Sequence, residues 1–206
     1  MAETVRPERV GASAVELVVD FVNSYEPQVD GEAWRSAADL RSWLAERQLT
    51  PVGAVLGSSD LATAITVREG LRALLAGHAG HHGDQEAIEA LNLVLAEVVV
   101  RVTLDDVGLQ LGGPSHPPLN AALARLLEAI RECTESGVWP RLKVCARDTC
   151  RWAFYDASRN QVRRWCSMAG CGNHIKMQRA YSARKKRETA SPGSPGGMQN
   201  DVLATS

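Results

Sequence analysis

Residues 145–176 read CARDTCRWAFYDASRNQVRRWCSMAGCGNHIK and hold four of the five cysteines of the chain. Their spacing is Cys-x4-Cys-x15-Cys-x4-Cys, which is two short pairs separated by a loop. Zinc prefers four tetrahedral ligands and binds thiolates well, and two such pairs bring four sulfur atoms together with little strain in the chain. The spacing therefore predicts a zinc site whose ligands are Cys145, Cys150, Cys166 and Cys171.

The predicted zinc site is structural rather than catalytic. Four thiolates close the coordination shell of zinc, so no position remains for water or substrate. About 45 residues surround the cysteines, which is too few for a self-sufficient hydrophobic core, and a bound metal would stabilise them. The spacing leaves three alternatives open: four cysteines without metal, two disulfides, or His174 as a competing ligand.

The positive charge of the chain is concentrated around the same cysteines. Residues 141–187 contain 13 Lys or Arg and two acidic residues, whereas residues 1–140 contain 10 Arg, no Lys and 20 acidic residues. The two net charges are +11 and −10. A concentrated cationic surface attracts polyanions; the alternatives are a solvated surface or one that docks on the acidic first segment. We predict DNA contacts from Arg159, Arg163, Arg164, Lys176, Arg179, Arg184, Lys185 and Lys186.

The change of charge near residue 140 divides the 206-residue chain into two domains and a tail. We predict a mostly helical regulatory or sensor domain over residues 1–140, a zinc finger over residues 141–187 and a disordered tail over residues 188–206. The sequence shows no leader peptide and no apolar run of the roughly 18 to 20 residues that span a bilayer. We therefore expect a cytoplasmic protein without membrane contact.

Helical periodicity dominates the first domain, which we assign to the α+β class as mostly α with a small β-hairpin. The two hairpin strands are predicted over residues 98–103 and 107–111, joined by a turn that contains Asp105. Residues 158–165 and 173–187 are predicted helices of the finger, a small treble-clef-like or related four-cysteine module. The first-domain helices are predicted over residues 13–25, 36–47 and 59–76, from Asp84 past Leu95, and from Pro117 or Pro118 to near Gly137.

The cysteine-rich stretch, residues 145–176, resembles the CGNR-type zinc finger, a short C-terminal module of bacterial proteins. The segments VDFVNS (residues 19–24) and VREGLRALL (residues 67–75) resemble the stress-induced transcription regulator (ABATE) domain that precedes this finger in such proteins. The resemblance implies that the four cysteines bind zinc and that the module binds DNA. The chain departs from the family motif at His174, where the family has arginine.

Several smaller features are predicted to be structural. The aromatic residues of the finger are expected to form its small core rather than to stack on bases. A group of histidines between two predicted helices is expected to lie in a solvated loop, Cys133 to be a partly buried thiol, and Asn23 to cap a helix or hydrogen-bond a neighbouring loop. The aromatic residues are Trp152, Phe154 and Tyr155, and the histidines are His78, His81 and His82.

These observations favour a zinc-dependent DNA-binding transcriptional regulator. In this interpretation the finger contacts DNA, and the first domain senses a signal, binds a protein partner or forms a homo-oligomer. The alternatives are an interaction protein whose zinc module is structural, an RNA-binding protein, or a redox sensor that loses zinc when its thiolates are oxidised. We do not expect an enzyme, because the sequence shows no Gly-rich phosphate loop, nucleophile elbow or His-Glu zinc motif.

Overall fold

A computed structural model describes residues 12–51, 53–106, 108–114 and 117–190, so the predicted tail from residue 191 onward lies outside the described residues. The last helix extends three residues into the segment that we predicted as a tail. Six α-helices form within the described residues: α1 (Ala12–Val22), α2 (Ala37–Glu46), α3 (Ser58–His78), α4 (Gln85–Ala96), α5 (Pro118–Glu135) and α6 (Asn173–Ala190). The strands are β1 (Tyr25–Glu26), β2 (Gly31–Glu32), β3 (Arg101–Leu104), β4 (Leu109–Gly112), β5 (Leu142–Val144) and β6 (Ala153–Tyr155).

The predicted helices of the first domain are confirmed, with capping residues at their starts. Helix α2 begins after Ser36, the hydroxyl of which accepts a hydrogen bond from a first-turn N–H at 3.2 Å. Helix α4 begins after Asp84, the carboxylate of which accepts a first-turn N–H at 3.1 Å. Such caps satisfy N–H groups that have no partner inside the helix. Helix α1 ends at Val22, three residues earlier than predicted, because Tyr25 pairs with Glu32 in a hairpin whose two strands, β1 and β2, have two residues each.

The core of the first domain forms around α3. This helix contacts α1, α2, α4 and β5, and it buries Val67, Leu71 and Leu75 almost completely. It lies close to α4 at Gly70, where an added Cβ would be only 2.4 Å from the Cβ of Leu91. Glycine is therefore required for this contact, because no larger side chain fits between the two helices.

The predicted β-hairpin is confirmed with a shift of one to three residues. Strands β3 and β4 pair antiparallel, with Val102 opposite Leu111 and Leu104 opposite Leu109. The predicted turn is present, because the N–H and carbonyl of Asp105 both bond Gly108 at 3.2 Å. Strand β4 contacts α5, so the hairpin covers one end of the helical core.

The first strands of the finger lie in the core of the first domain. Strands β5 and β6 pair antiparallel, and Leu142, Val144 and Ala153 pack in the same hydrophobic cluster as the helices. Strand β5 contacts α3, while β6 contacts α1. The predicted division at residue 140 thus separates two segments of sequence whose buried apolar side chains share one core.

The predicted helix over residues 158–165 is wrong, because this segment forms turns and irregular backbone. The carboxylate of Asp156 accepts hydrogen bonds from the N–H of Ser158 and the N–H of Arg163, each at 3.0 Å. Gln161 has a φ of 53°, in the left-handed region. An aspartate that bonds nearby backbone N–H groups offers them an alternative to helical hydrogen bonds, and this one does so twice.

Two further predictions concern burial and membranes. Cys133 is fully buried on α5, and this burial raises the pKa of its thiol to about 11. It is therefore an unreactive core residue, somewhat more buried than we expected. None of the helices in the described part of the chain combines the length and the apolar character needed to cross a bilayer.

Candidate metal centre

The structure brings the four cysteines of the predicted zinc site together. Cys145 follows strand β5, Cys150 lies in the turn between β5 and β6, Cys166 ends the irregular loop, and Cys171 lies in a short π-helical turn, Met168–Gly172. All four Sγ atoms lie within 4.8 Å of one another. The described residues thus contain a compact sulfur cluster built from both ends of the finger.

The spacing of the sulfur atoms fits a tetrahedral metal ion. The Sγ atoms of Cys150 and Cys166 are 3.7 Å apart, and those of Cys166 and Cys171 are 3.8 Å apart. Four sulfurs around zinc at about 2.3 Å would be about 3.8 Å from one another. All four are free thiols rather than disulfides, since a disulfide bond needs a sulfur separation of about 2.0 Å. The cluster can therefore hold one metal ion through four thiolates.

Burial raises the pKa of two of the four thiols. It raises the pKa of Cys150 to about 11, and it also raises the pKa of Cys166. A thiol becomes a metal ligand only after it loses its proton, so metal binding at this cluster must release protons. The affinity for a metal ion should therefore fall as the pH is lowered.

A tight turn places the first two sulfurs. The Cys145 N–H donates to the Trp152 carbonyl at 2.9 Å, and the Cys150 N–H donates to the Arg147 carbonyl at 2.9 Å. Arg151, directly after the second cysteine, has a φ of 48°, in the left-handed region that is uncommon for residues other than glycine. The chain reverses there and continues into β6, so that both sulfurs lie on the same side of the turn.

The other two sulfurs lie at the base of α6. Ser167 caps the π-helical turn, because its hydroxyl accepts the Gly170 N–H at 3.1 Å. Helix α6 begins directly after this turn, so Cys171 is two residues from the first residue of the helix. An added Cβ on Gly172 would lie 3.1 Å from the Met168 sulfur, which is why a small residue suits this position. A metal ion bound to Cys171 would thus fix the direction of α6.

A buried ion pair organises the loop between the two cysteine pairs. The Lys143 ammonium donates to the Asp156 carboxylate at 2.8 Å, and both side chains are buried. Burial alone would raise the pKa of Asp156, but hydrogen bonds from Lys143 and Ser158 outweigh it and lower this pKa to about 2. This pair was not predicted from the sequence. The signal that could have found it is that Asp156 is one of only two acidic residues in the basic segment, residues 141–187.

Arg163 also stabilises this loop, through hydrogen bonds to its backbone. Its guanidinium donates to the Trp165 carbonyl at 2.8 Å and to the Cys166 carbonyl, and it lies 4.7 Å from the centre of the Phe154 ring. Phe154 is buried as predicted. The predicted DNA contact of Arg163 stays a prediction; its hydrogen bonds give it a structural role beside Cys166.

The other predicted DNA contacts lie on exposed parts of the finger. Arg159 and Arg164 are exposed on the irregular loop. Helix α6 is exposed along almost its entire described length, and three of its cations follow one side at helical spacing. These are Lys176, Arg179 and Lys186, with Arg184 and Lys185 also exposed nearby.

The histidines differ from the prediction of a solvated loop. His78 is the last residue of α3, and its Nδ1 lies 2.9 Å from the Leu142 carbonyl oxygen, with its ring edge-on to Trp139. The His81 Nε2 is buried without a hydrogen-bond partner among the described residues, and burial lowers the pKa of this side chain. The prediction is wrong for His78, which belongs to α3; His81 and His82 lie in the loop, with His81 partly buried and His82 exposed. Helix α3 ends two residues later than predicted, which brings His78 against the finger.

His174 takes no part in the sulfur cluster. It is exposed on the first turn of α6, and the metal-binding group found in the described part of the chain contains cysteines only. The alternative in which His174 replaces a cysteine ligand therefore has no support in this geometry.

Two family models match the chain. The model described as "Putative stress-induced transcription regulator" (ABATE) matches residues 16–149, and the model of the CGNR zinc finger matches residues 141–185. The first covers more than half of the chain, and the two overlap across β5 and Cys145. A search of curated proteins finds no match.

Proposed function

We propose that this chain, which belongs to the ABATE family and carries a CGNR zinc finger, is a zinc-dependent DNA-binding regulator of transcription. One observation carries the proposal: a four-sulfur cage lies at the base of an exposed helix that carries a concentrated positive charge. A structural metal ion in the cage would hold this helix rigidly in one direction. DNA phosphates are the polyanion that such a helix suits.

The charge of α6 supports a nucleic-acid partner. Residues 173–190 contain six Lys or Arg and one acidic residue, Glu188, so the helix has a net charge of +5. The 18-residue helix is about 27 Å long, enough to lie along several phosphates of a duplex. The exposed cations of the neighbouring loop, Arg159 and Arg164, extend the positive surface. We propose a binding role for this chain, and no enzymatic one.

The first domain has the regulatory part in this proposal. It would respond to a signal or bring two copies of the chain together, and either event would change how the finger meets DNA. One observation favours a second candidate, an interaction protein with a purely structural finger: Leu142 and Val144 of the finger are buried in the first-domain core. In that case the basic helix would serve a protein partner.

Fluorescence anisotropy with labelled duplex DNA tests the proposal. Zinc-loaded wild-type protein should bind, and Cys166→Ser should not, because the cage would be lost. If five to seven phosphates are neutralised, log affinity should fall with log salt concentration at a slope of about −5 to −6. Zinc-loaded protein that does not bind duplex DNA at low salt would rule the proposal out, and preferential competition by RNA would replace DNA with RNA as the partner.

Two triple variants, one in α6 and one in the first domain, test whether α6 is the part of the chain that binds DNA. Glutamine at Lys176, Arg179 and Lys186 should reduce the salt slope by about 2 to 3, because each phosphate contact contributes about 0.9. The control replaces Arg35, Arg41 and Arg101, three exposed arginines of the first domain, with glutamine. The control has the same change in net charge and should leave the slope unchanged. Selection of bound sequences from random DNA would then show whether the wild-type protein has a preferred site.

A further inference from the structure

The proposed function leaves two sequence segments of the first domain without a role. They are residues 19–24 and residues 67–75, the segments that resemble the family in the helical part of the chain. Each contributes one polar side chain, Asn23 or Arg72, that reaches across to the backbone of the finger beside Cys150. The sequence separations of these contacts are 130 and 79 residues.

Asn23 joins the end of α1 to strand β6. Its side-chain oxygen accepts the Ala153 N–H at 2.8 Å, and its amide donates to the Ala153 carbonyl at 3.0 Å. One side chain thus satisfies both backbone groups of a buried residue, as a neighbouring strand would do. Ala153 lies only three residues after Cys150, so Asn23 fixes the strand that leaves the first cysteine turn.

Arg72, in the middle of α3, donates hydrogen bonds to three backbone carbonyl groups. Its guanidinium donates to the Arg151 carbonyl at 3.1 Å, to the Val22 carbonyl at 2.6 Å and to the Tyr25 carbonyl at 3.0 Å. The side chain is buried, and Glu69 accepts a further bond at 3.1 Å. Arg151 follows Cys150 directly and has the left-handed φ that closes the cysteine turn. Arg72 therefore supports the turn at its least favourable backbone position.

We propose that Asn23 and Arg72 are positioning residues of the metal centre, through which metal occupancy of the finger and the folded state of the first domain stabilise each other. Groups that hold the backbone of a ligand turn reduce the cost of ordering that turn when the metal binds. The effect is reciprocal by thermodynamic linkage: what the first domain adds to metal affinity, the metal adds to the stability of the first domain. This proposal does not depend on DNA binding.

Arg68 is a matched control for Arg72. Both arginines lie on α3, both are buried, and both donate to the carboxylate of Glu69. The other hydrogen-bond acceptors of Arg68 among the described residues are Ser24 and Glu32, which belong to the first domain. A substitution of Arg68 therefore disturbs the first domain without removing a hydrogen bond to the finger.

The test measures zinc affinity in Arg72→Lys and Arg68→Lys by competition with a chromogenic chelator. Lysine keeps the charge but lacks the planar guanidinium fork, whose separate nitrogen atoms reach acceptors that lie in different directions. We expect Arg72→Lys to bind zinc at least about tenfold more weakly than the wild type, as is typical when support of a metal ligand is removed. Arg68→Lys should stay within about twofold. Equal affinities in the two variants, whether reduced or unchanged, would overturn the proposal.

A second pair of variants keeps the test open if either arginine variant fails to fold. Asn23→Ala removes both bonds to Ala153, whereas Ser24→Ala removes a hydroxyl that donates to Phe21 inside the first domain. Asn23→Ala should reduce zinc affinity, and Ser24→Ala should not. Hydrogen exchange supplies the reciprocal readout: removal of zinc should speed exchange at residues 19–25 in the wild type, and less so in Asn23→Ala. If hydrogen exchange at residues 19–25 of the wild type did not change when zinc is removed, the linkage would be contradicted.

Discussion

The first domain and the finger exclude water from their interiors with different chemistry. The first domain buries large apolar side chains, among them Trp34, Leu40 and Leu75. The finger encloses a buried carboxylate, Asp156, and a cluster of cysteine thiols. Apolar burial stabilises a fold without a specific partner. Buried thiolates need a metal ion and a buried charge needs an opposite charge before they stabilise it. The stability of the two regions should therefore respond to different perturbations.

Loss of one metal ligand should give the largest difference in stability between the two regions. We expect Cys166→Ser to reduce zinc affinity by more than the roughly 100-fold that loss of an outer supporting group can cost. Residues 156–172 should then lose protection from hydrogen exchange. Strands β5 and β6 should keep most of theirs, because Leu142 and Val144 are buried in the first-domain core. Measurement of bound zinc per chain and hydrogen exchange by mass spectrometry check both statements.

Cys133→Ser is the control for this change. It alters a buried cysteine of α5 that lies outside the sulfur cluster. The variant should keep one zinc per chain while losing some stability in the first domain. Complete loss of protection in β5 upon Cys166→Ser would show that the finger, and not the helical core, holds these strands.

The tight contact between α3 and α4 at Gly70 should give the largest effect confined to the first domain. An alanine Cβ at position 70 would lie 2.4 Å from the Leu91 Cβ and 2.8 Å from the Ala87 carbonyl oxygen. Separating α3 from α4 costs on the order of 1–3 kcal/mol or more. Gly70→Ala should therefore reduce the free energy of unfolding measured with urea. Gly77→Ala on the same helix has no atom within 4 Å of the new Cβ and should be neutral or stabilising.

The buried ion pair should give the corresponding effect in the finger. The pKa of Asp156 lies near 2 in the folded protein and near 3.8 in its ordinary range, so the carboxylate stabilises the fold at neutral pH by about 2 kcal/mol. This contribution is present above pH 4 and is lost as the pH falls towards 2. Asp156→Asn should therefore be less stable than the wild type at pH 7, and the difference should shrink in acid. Both proteins should be measured without metal, so that metal release in acid does not contribute to the difference.

Asp148→Asn is the matched variant for this prediction. Asp148 is the other acidic residue of the basic segment, and its carboxylate pairs with Arg151 at the surface. Exposed ion pairs contribute roughly 0–1 kcal/mol, so this variant should resemble the wild type at every pH. A pH-independent difference between Asp156→Asn and the wild type would mean that packing, and not charge, sets the role of Asp156.

Local signals predicted the parts of the fold that depend on short sequence distances. Helical periodicity, the cap Asp84, the hairpin turn and the spacing within each cysteine pair all act within a few residues. The loop after β6 was mispredicted, because Asp156 bonds the backbone N–H groups that a helix would have used. Helical periodicity in the sequence contains no information about that competition.

Contacts between distant segments could not be predicted from periodicity. Asn23 and Arg72 lie in helical segments of the sequence, and their partners on the finger are 130 and 79 residues away. A polar residue inside an apolar segment indicates a buried partner but does not identify it. The same limit explains His78, which contacts the carbonyl of Leu142 instead of solvent.

The smallest expected effect concerns the position where the chain departs from the CGNR motif. His174 is exposed on the first turn of α6, so His174→Arg should change the free energy of unfolding by no more than about 0.5 kcal/mol. Zinc affinity should also stay the same, because the residue lies outside the sulfur cluster. The substitution adds a full positive charge to the proposed DNA surface and should steepen the salt dependence of duplex binding by up to about 0.9. A change in zinc affinity instead would show that this position supports the cage. The part of α6 that binds DNA would then begin after residue 174.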